Sequence, residues 1–267
     1  MEERSREPVL GCRHLRKEFS RGGSLIQKAQ QFAAVEDVSF DLFRGEMLGL
    51  LGESGCGKTT LARMLVHLIR PSDGEIYLEG EEVSKLPERI FRKKRRMIQM
   101  VYQNPFDCLD PSRRIRQQLE EPMKLWHPGM DPSERMEKIV GMLAQCGLPD
   151  SSLEKLPREF SGGQLQRISI ARALLAKPRI LIADEIISAL DVPVQNQILQ
   201  LLFRMKEEMD LSILFITHDL SVSRMASDRV MVMREGRICG IGRPEEVFAE
   251  KTDPYIRELD RAVFRFV

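Results

Sequence analysis

Long apolar runs are missing from this sequence. No stretch approaches the roughly 20 apolar residues that carry a helix across a bilayer, which excludes an integral helical membrane protein. The opening segment MEERSREPVL alternates acids and bases and lacks an apolar signal region, so the expected location is cytoplasmic. An excess of charge of either sign is also missing. Lys and Arg number 41 against 40 Asp and Glu, a net charge of +1, which argues against a general binder of nucleic acid or membrane surfaces. Cysteine is sparse: Cys12, Cys56, Cys108, Cys146 and Cys239 are odd in number, scattered, and never spaced as CxxC. That pattern excludes a disulfide framework or a zinc cluster and fits a reducing compartment. Internal repeats and low-complexity tracts are absent as well. What remains is a chain of 267 residues, 42% hydrophobic, enough for one large domain or one domain with a sizeable inserted lobe.

Several short apolar runs read as strands of a parallel sheet covered on both faces, where polar alternation disappears: Met47 to Leu51, Met97 to Tyr102, Ile180 to Ala183, Ile213 to Thr217 and Val230 to Met233. Helical patterns separate most of them. Thr60 to Ile69 places Leu61, Leu65 and Leu68 on one face before Pro71 and Gly74. Strands alternating with helices predict an α/β fold. Four of the runs are followed or ended by polar residues, namely Gly52, Gln103, Asp184 with Glu185, and His218. Ligands of open α/β sheets bind beyond the carboxyl ends of strands, so these four ends point to one shared site. Ahead of them, Val9 to Phe19 and Phe32 to Leu42 read as an antiparallel lead-in, joined by a loop or hairpin tip SRGGSLIQKAQQ. From about 104 to 160, helix signals at Arg113 to Trp126 and Pro132 to Cys146 are broken by Pro105, Pro111, Pro128 and Pro149, as expected of an inserted helical lobe. The expected organisation is a core of about 1–103 and 161–250, the lobe at 104–160, and a short tail at 251–267.

GESGCGKTT, comprising Gly52, Glu53, Ser54, Gly55, Cys56, Gly57, Lys58, Thr59 and Thr60, fits G-x-x-x-x-G-K-[ST] directly after a strand and directly before a helix. Glycines let successive N–H groups turn towards phosphates, and the helix start adds its positive dipole. Lys58 would reach the outer phosphates of ATP, and Thr59 would ligate Mg²⁺. Cys56 occupies a variable position and need not be a reactive thiol. RILIADE, Arg179 to Glu185, is an apolar strand ending in two carboxylates. Asp184 is placed to hold Mg²⁺ through water and Glu185 to polarise the attacking water, although alone such a strand end is as well read as a helix cap. In FSGGQLQRISIARAL, Ser161 reads as an N-cap, and Gly162 and Gly163 permit close approach of a second phosphate to the helix start.

With GQLQRISIARALLAKPRILIADE continuous behind that cap, the chain resembles the ATP-binding cassette family over nearly its whole length. The resemblance implies an ATPase of mixed-sheet P-loop fold that works as a head-to-tail dimer, the phosphate loop of one chain facing the SGGQ of the other. It implies Gln103 as the glutamine of the mobile loop, acting at Mg²⁺ and in catalysis, and Ser161 to Gln164 as the signature. Asp184 becomes the Mg²⁺-coordinating aspartate, Glu185 the catalytic glutamate, Ser188 to Asp191 (SALD) the dimer-contacting loop, and His218 the histidine that senses the γ-phosphate. His218 lies 34 residues beyond Asp184, in the family's order; by itself a histidine after a strand is more often a structural hydrogen-bonder. Phe19, in RKEF, matches the aromatic that stacks on adenine, with Phe32 as a competitor. Where the family has Pro after the glutamate, this chain has Ile186, which alters the stiffness of the turn.

VYQNPFDCLDPSRRI, ADEIISALDVPVQNQILQLL and LFITHDLSVSRMASDRVMVMREGRI resemble the peptide and nickel importer branch in particular, as does the closing EEVFAEKTDPYIRELDRAV. The branch implies two membrane permease chains, a second ATPase chain that is a copy or a different protein, an extracytoplasmic binding protein that chooses the solute, and a seat on the cytoplasmic face of the membrane. The chain stops soon after its tail motif, so no cysteine-bearing extension or metal cluster is expected. RKKRR, Arg92 to Arg96, reads as a solvated helix end rather than a nucleic-acid or lipid patch, because aromatics are not interleaved. A cassette ATPase acting on nucleic acid or ribosomes, and a weakly hydrolysing regulatory subunit, are the alternatives.

Overall fold

The computed structural model describes residues 7–21, 30–249 and 253–263, so most of the expected hairpin tip, residues 22–29, lies outside the described residues. In chain order the elements begin with the long strands β1 (Pro8–Arg21) and β2 (Gln30–Phe43), the buried strand β3 (Met47–Leu51) and helix α1 (Lys58–Leu65). Strands β4 (Asp73–Leu78) and β5 (Glu81–Glu82) and helix α2 (Glu88–Lys94) follow. Next come β6 (Ile98–Val101), α3 (Ile115–Trp126), α4 (Pro132–Gln145), α5 (Gly162–Leu174), β7 (Ile180–Asp184) and α6 (Val192–Glu208). The chain closes with β8 (Ser212–Thr217), α7 (Leu220–Ala226), β9 (Arg229–Arg234), β10 (Arg237–Gly242), α8 (Pro244–Val247) and α9 (Pro254–Val263).

Two compact units divide these elements. One holds the described residues up to Phe91 and from Ser212 onward, and the other holds Arg92–Leu211. In the first unit, β1 pairs antiparallel with β2 and with β4, and Phe19 stands opposite Phe32. Beside this antiparallel layer, β3 pairs parallel with both β8 and β9, and β10 folds back antiparallel on β9. Every residue of β3 and β8 is buried, as expected for central parallel strands covered on both faces. In the second unit β6 and β7 pair parallel, Val101 opposite Ala183.

The seven strands expected from the sequence (β1, β2, β3, β6, β7, β8 and β9) have boundaries within two residues of the expectation, β4, β5 and β10 have no counterpart in it, and α1 departs from its expected range. The helix begins at Lys58, two residues early, and ends at Leu65 rather than Ile69. His67 has left-handed backbone at φ 59°, and its N–H bonds the Met64 carbonyl, which tightens and stops the last turn. Leu61 and Leu65 are therefore buried, but Leu68 is left 49% exposed.

In α3, Pro122 lies inside the helix and has no N–H to offer the Gln118 carbonyl four residues back. Arg172 of α5 supplies the missing donor, its Nε bonding Gln118 O at 3.3 Å, while its Nη1 and Nη2 reach Cys108 O at 3.0 Å and Glu121 at 3.1 Å. A helix break is thus turned into a helix–helix tie. Gln118, 2% exposed, completes it through the Asp110 N–H and the Asp110 and Arg113 carbonyls.

Several carboxylates of this unit titrate below their ordinary range. The Arg113 side chain, at 2.9 Å, and then Arg172 hold Glu121 down; the Ser112 hydroxyl and N–H hold Asp110 down; Ser133 does the same for Asp131, the N-cap of α4. A depressed carboxylate stabilises the fold above its unfolded pKa and loses that contribution as pH falls through its folded value. Stability should therefore fall progressively below the unperturbed values of 4.5 for Glu121 and 3.8 for the aspartates. Denaturant unfolding between neutral pH and pH 3 (~3) checks this, with Glu121→Gln expected to show a shallower acid loss than the parent chain. Equal slopes would remove Glu121 from the account.

Candidate functional site

Leu51 and Thr217 face each other on the last rung of the parallel β3–β8 ladder, so Gly52 and His218 leave the sheet at the same edge. From Gly52 the chain makes a turn that needs glycine. Gly55 and Gly57 sit at φ 82° and 113°, in the left-handed region. At Gly57 a Cβ would lie 2.1 Å from the Ala34 carbonyl of β2, and at Gly52 one would lie 2.2 Å from the Met233 carbonyl of β9. Both positions are therefore closed to any side chain by backbone contact as well as by dihedral. Gly236 ties the turn from outside, its N–H bonding Cys56 O at 2.9 Å.

Lys58 is 4% exposed and folds back over this turn, its ammonium 2.8 Å from both the Gly52 and Glu53 carbonyls and 4.0 Å from the Cys56 thiol. Holding a buried ammonium against neutral carbonyls fixes a positive charge inside a glycine-rich turn at a helix start, a combination suited to an anionic oxygen. Burial pushes the Cys56 thiol up despite the lysine beside it, so the sulfur stays protonated and is not the nucleophile of this turn. Thr59 and Thr60, half-buried, open α1. His218 is exposed, and the next residue, Asp219, caps α7 by accepting the Val222 N–H at 3.0 Å. Phe19 and Phe32, 37% and 48% exposed, form a tilted pair with ring centroids 5.9 Å apart, two residues along β2 from Ala34. The two aromatics weighed as alternatives in the sequence are one surface feature.

In the second unit the parallel β6–β7 register brings Gln103 and Asp184–Glu185 to one edge. Asp184 is 4% exposed, while Glu185 is half-buried and sits at φ 49°, a left-handed backbone unusual for a residue with a long side chain. Ser188 locks that conformation: its N–H and its hydroxyl bond the Glu185 carbonyl at 3.2 and 2.9 Å. The same hydroxyl receives the Gln103 side chain at 3.2 Å. Ser188 thus joins the two polar strand ends, a role with no sequence signal beyond its place in SALD. Ser161 caps α5 with a capping box, its Oγ accepting the Gln164 N–H at 3.3 Å and Gln164 Oε1 accepting the Ser161 N–H at 3.0 Å. Gly162 is exposed, and Gly163 is packed so closely on α6 that a Cβ would lie 2.4 Å from Val194 Cγ1. Asp191, exposed, is the N-cap position of α6. Gln166 Nε2 bonds Tyr102 O at 3.1 Å and so ties α5 to the strand end just before Gln103.

The structure brings together Gly52–Thr60 and His218 in the first unit, and Gln103, Asp184, Glu185 and Ser188 in the second. Substitutions separate the two reasons for glycine in the turn. Gly57→Ala, with both strain and collision, should destabilise the chain by about 3 kcal/mol. Gly55→Ala, with no atom within 4 Å of its Cβ, should lose only about 1–2 kcal/mol from the left-handed backbone. Denaturant melts of both variants give the comparison, and equal losses would contradict the packing at Ala34.

A family model described as ABC transporter matches residues 35–188. The chain is 41% identical over 262 residues to the oligopeptide transport ATP-binding protein OppF of Haemophilus influenzae, covering 97% of this chain and 79% of that one. It is 43% identical to AppF of Bacillus subtilis, over 96% of this chain and 78% of the relative, and 40% identical to the dipeptide transport protein DppF of Escherichia coli, over 95% and 75%. Among solved structures, the dimeric post-hydrolysis state of the ATP-binding cassette MJ0796 bound to ADP and Pi superposes with TM-score 0.79 at 27% identity, over 88% of this chain and 98% of that one. For cbiO1 of Clostridium perfringens, part of the cbiONQ transporter complex, the TM-score is 0.77 at 27% identity over 97% of both chains. With the family model spanning more than half of the sequence and relatives at this identity matched along most of both chains, the protein belongs to the ABC transporter family.

Proposed function

We propose that this chain is the ATP-hydrolysing subunit of an importer of peptides, and that it works at the cytoplasmic face of a membrane through separate permease chains. The observation that carries ATP binding is the turn from Gly52 to Thr60, with Lys58 buried against its carbonyls and three glycine positions shaped for an anion. Peptides as cargo rest on the relatives named for oligopeptide and dipeptide transport. None of the described helices is long and apolar enough to cross a membrane, so the pore belongs to other chains in this reading. A second ATPase chain, and a binding protein outside the membrane that selects the peptide, complete the assembly. Nickel or a metal chelate, the other cargo of the sequence expectation, has no relative behind it among those compared above.

The residue roles are those that the family resemblance implies, and the chemistry of each group suits its role. Lys58 offers its ammonium to the β- and γ-phosphates, exchanging the Gly52 and Glu53 carbonyls for phosphate oxygens. Glu185 orients and polarises the attacking water, and the left-handed backbone locked by Ser188 fixes the direction of its carboxylate. His218 contacts the γ-phosphate, and Gln103, tethered through Ser188, reports on the water and the metal. Ser161 to Gln164 present the capped, positive start of α5 to a phosphate bound by a second ATPase chain, with Asp191 nearby in the SALD loop. Phe19 or Phe32 stacks on the adenine ring.

The donor set suits Mg²⁺. No cluster of three or more His, Cys, Asp or Glu fit to hold a metal occurs among the described residues. Mg²⁺ is commonly held by one or two protein oxygens together with phosphate and water; Thr59 of the first unit offers a hydroxyl, and Asp184 of the second a buried carboxylate, of the kind it takes. When bound with ATP, the ion neutralises phosphate charge.

Glu185→Gln should lower ATPase turnover of the assembled complex by about 100-fold or more, as expected for loss of a general base, with nucleotide binding retained. Lys58→Ala should abolish nucleotide binding at this chain's own site. Unchanged turnover in the first variant, or undiminished binding in the second, would contradict these assignments. Gentle purification of the chain from membranes, followed by mass spectrometry, should recover two permeases and an ATPase partner. Recovery solely with ribosomes or nucleic acid would overturn the import reading and leave the ATPase intact.

A further inference from the structure

Helix α9 lies in the closing segment, about 200 residues from the glycine turn, yet it shares a core with Leu51, from which that turn departs. Asp253 caps its first turn by accepting the Tyr255 N–H at 2.8 Å. Tyr255 and Ile256, 3% and 1% exposed, enter a core cluster with Leu51, Leu220, Val230, Val232 and Val247. Leu51 is the residue from which the turn departs, and Leu220 lies two residues beyond His218. A second tie joins the same two elements at the surface, where Arg224 of α7 bonds Asp260 at 2.7 Å. Arg234 of β9 covers the Tyr255 ring, its guanidinium carbon 4.7 Å from the centroid.

The hydroxyl of Tyr255 is buried, in a core that also holds Leu51 at the root of the turn. Burial raises the phenol above its ordinary value, with the Glu53 backbone N–H opposing. The ring is therefore a neutral wedge in the core that holds Leu51, from which the turn departs.

We propose that α9 is a positioning strut for the phosphate turn, and that Tyr255 is the residue through which it acts. The inference rests on Gly52–Thr60 being the nucleotide site. Three glycines at φ 156°, 82° and 113° give the turn little stiffness of its own, so walls must supply it. Ala34, Met233 and Gly236 form walls on one side; Tyr255 supports the root of the turn through the core it shares with Leu51. A turn that samples other conformations binds its ligand more weakly in proportion to the fraction that is competent. Coupling is reciprocal, so nucleotide must in turn stabilise α9.

The test compares ATP binding by the full chain carrying Tyr255→Ala, Tyr255→Phe, Ile256→Ala or Lys58→Ala. Ile256 is the control on the same helix, because it packs on Gly240 of β10, where a Cβ would lie 2.8 Å from its Cδ1. Tyr255→Ala should weaken ATP by about tenfold or more, while Tyr255→Phe, which keeps the wedge, stays within about threefold of the parent chain. Ile256→Ala should lower the melting temperature as much as Tyr255→Ala and leave ATP affinity within about threefold. Parent-like affinity in Tyr255→Ala, or equal weakening by Ile256→Ala, would overturn the proposal. Undiminished binding in Lys58→Ala would instead strike the nucleotide reading beneath it. Hydrogen exchange on the parent chain removes any dependence on the variants folding. ATP should slow the amides of residues 256–263, and exchange indifferent to ATP would sink the strut.

Discussion

Parallel pairing of largely apolar strands is the constraint on which the placement of the candidate site residues depends. In a parallel ladder adjacent strands finish at the same edge, and whatever follows each of them must share that edge. Leu51 opposite Thr217 places the glycine turn at Gly52 beside His218, and Val101 opposite Ala183 places Gln103 beside Asp184 and Glu185. The wholly buried character of β3, β7 and β8 enforces this register, because a slip by one residue would drive a polar strand end into the core. Hydrophobic burial, which is non-directional, is thereby converted into the placement of charged groups.

How much of this could be read from the sequence depended on the range of the forces involved. Glycine spacing, the cap at Ser161 and the apolar runs are local signals, and each named its element to within a few residues. The end of α1 was misjudged because Leu68 continues the helical period, while His67 has already left the helix in a left-handed conformation. No composition rule flags a histidine for that. Ser188 was legible as a member of SALD but not as the hydroxyl that joins Gln103 to the Glu185 carbonyl, since the two partners lie 85 and 3 residues away. Tyr255 had no signal at all beyond a tail motif, because its neighbours Leu51 and Arg234 are brought to it by tertiary packing.

Long-range side-chain hydrogen bonds recur wherever the backbone alone leaves a group wanting. Pro122 leaves the Gln118 carbonyl without its helical donor, and Arg172 of α5 fills the gap. Gln166 of the same helix reaches the Tyr102 carbonyl at the end of β6. Helix α5, whose capped start carries Ser161 to Gln164, is therefore bound along its length to the segment on either side of Gln103. A displacement of that segment would strain bonds that hold α5, so the two cannot move independently within this unit at no free-energy cost.

The turn after Asp184 reaches rigidity by a route other than the proline that the family resemblance leads one to expect there. Proline after the glutamate would stiffen the turn by restricting the unfolded chain, a contribution of about 0.4–1 kcal/mol. Here Ile186 and Ile187 are each 2% exposed, and burying such a side chain contributes roughly 1.5–3 kcal/mol apiece at the upper bound. Against this stands the left-handed backbone of Glu185, which costs about 1–2 kcal/mol. The balance favours the strained conformation without any ring, and the two bonds from Ser188 add to it. Replacement of proline by isoleucine at 186 thus transfers the stiffness of the turn from the covalent chain to the core, and does not by itself mark a degenerate site.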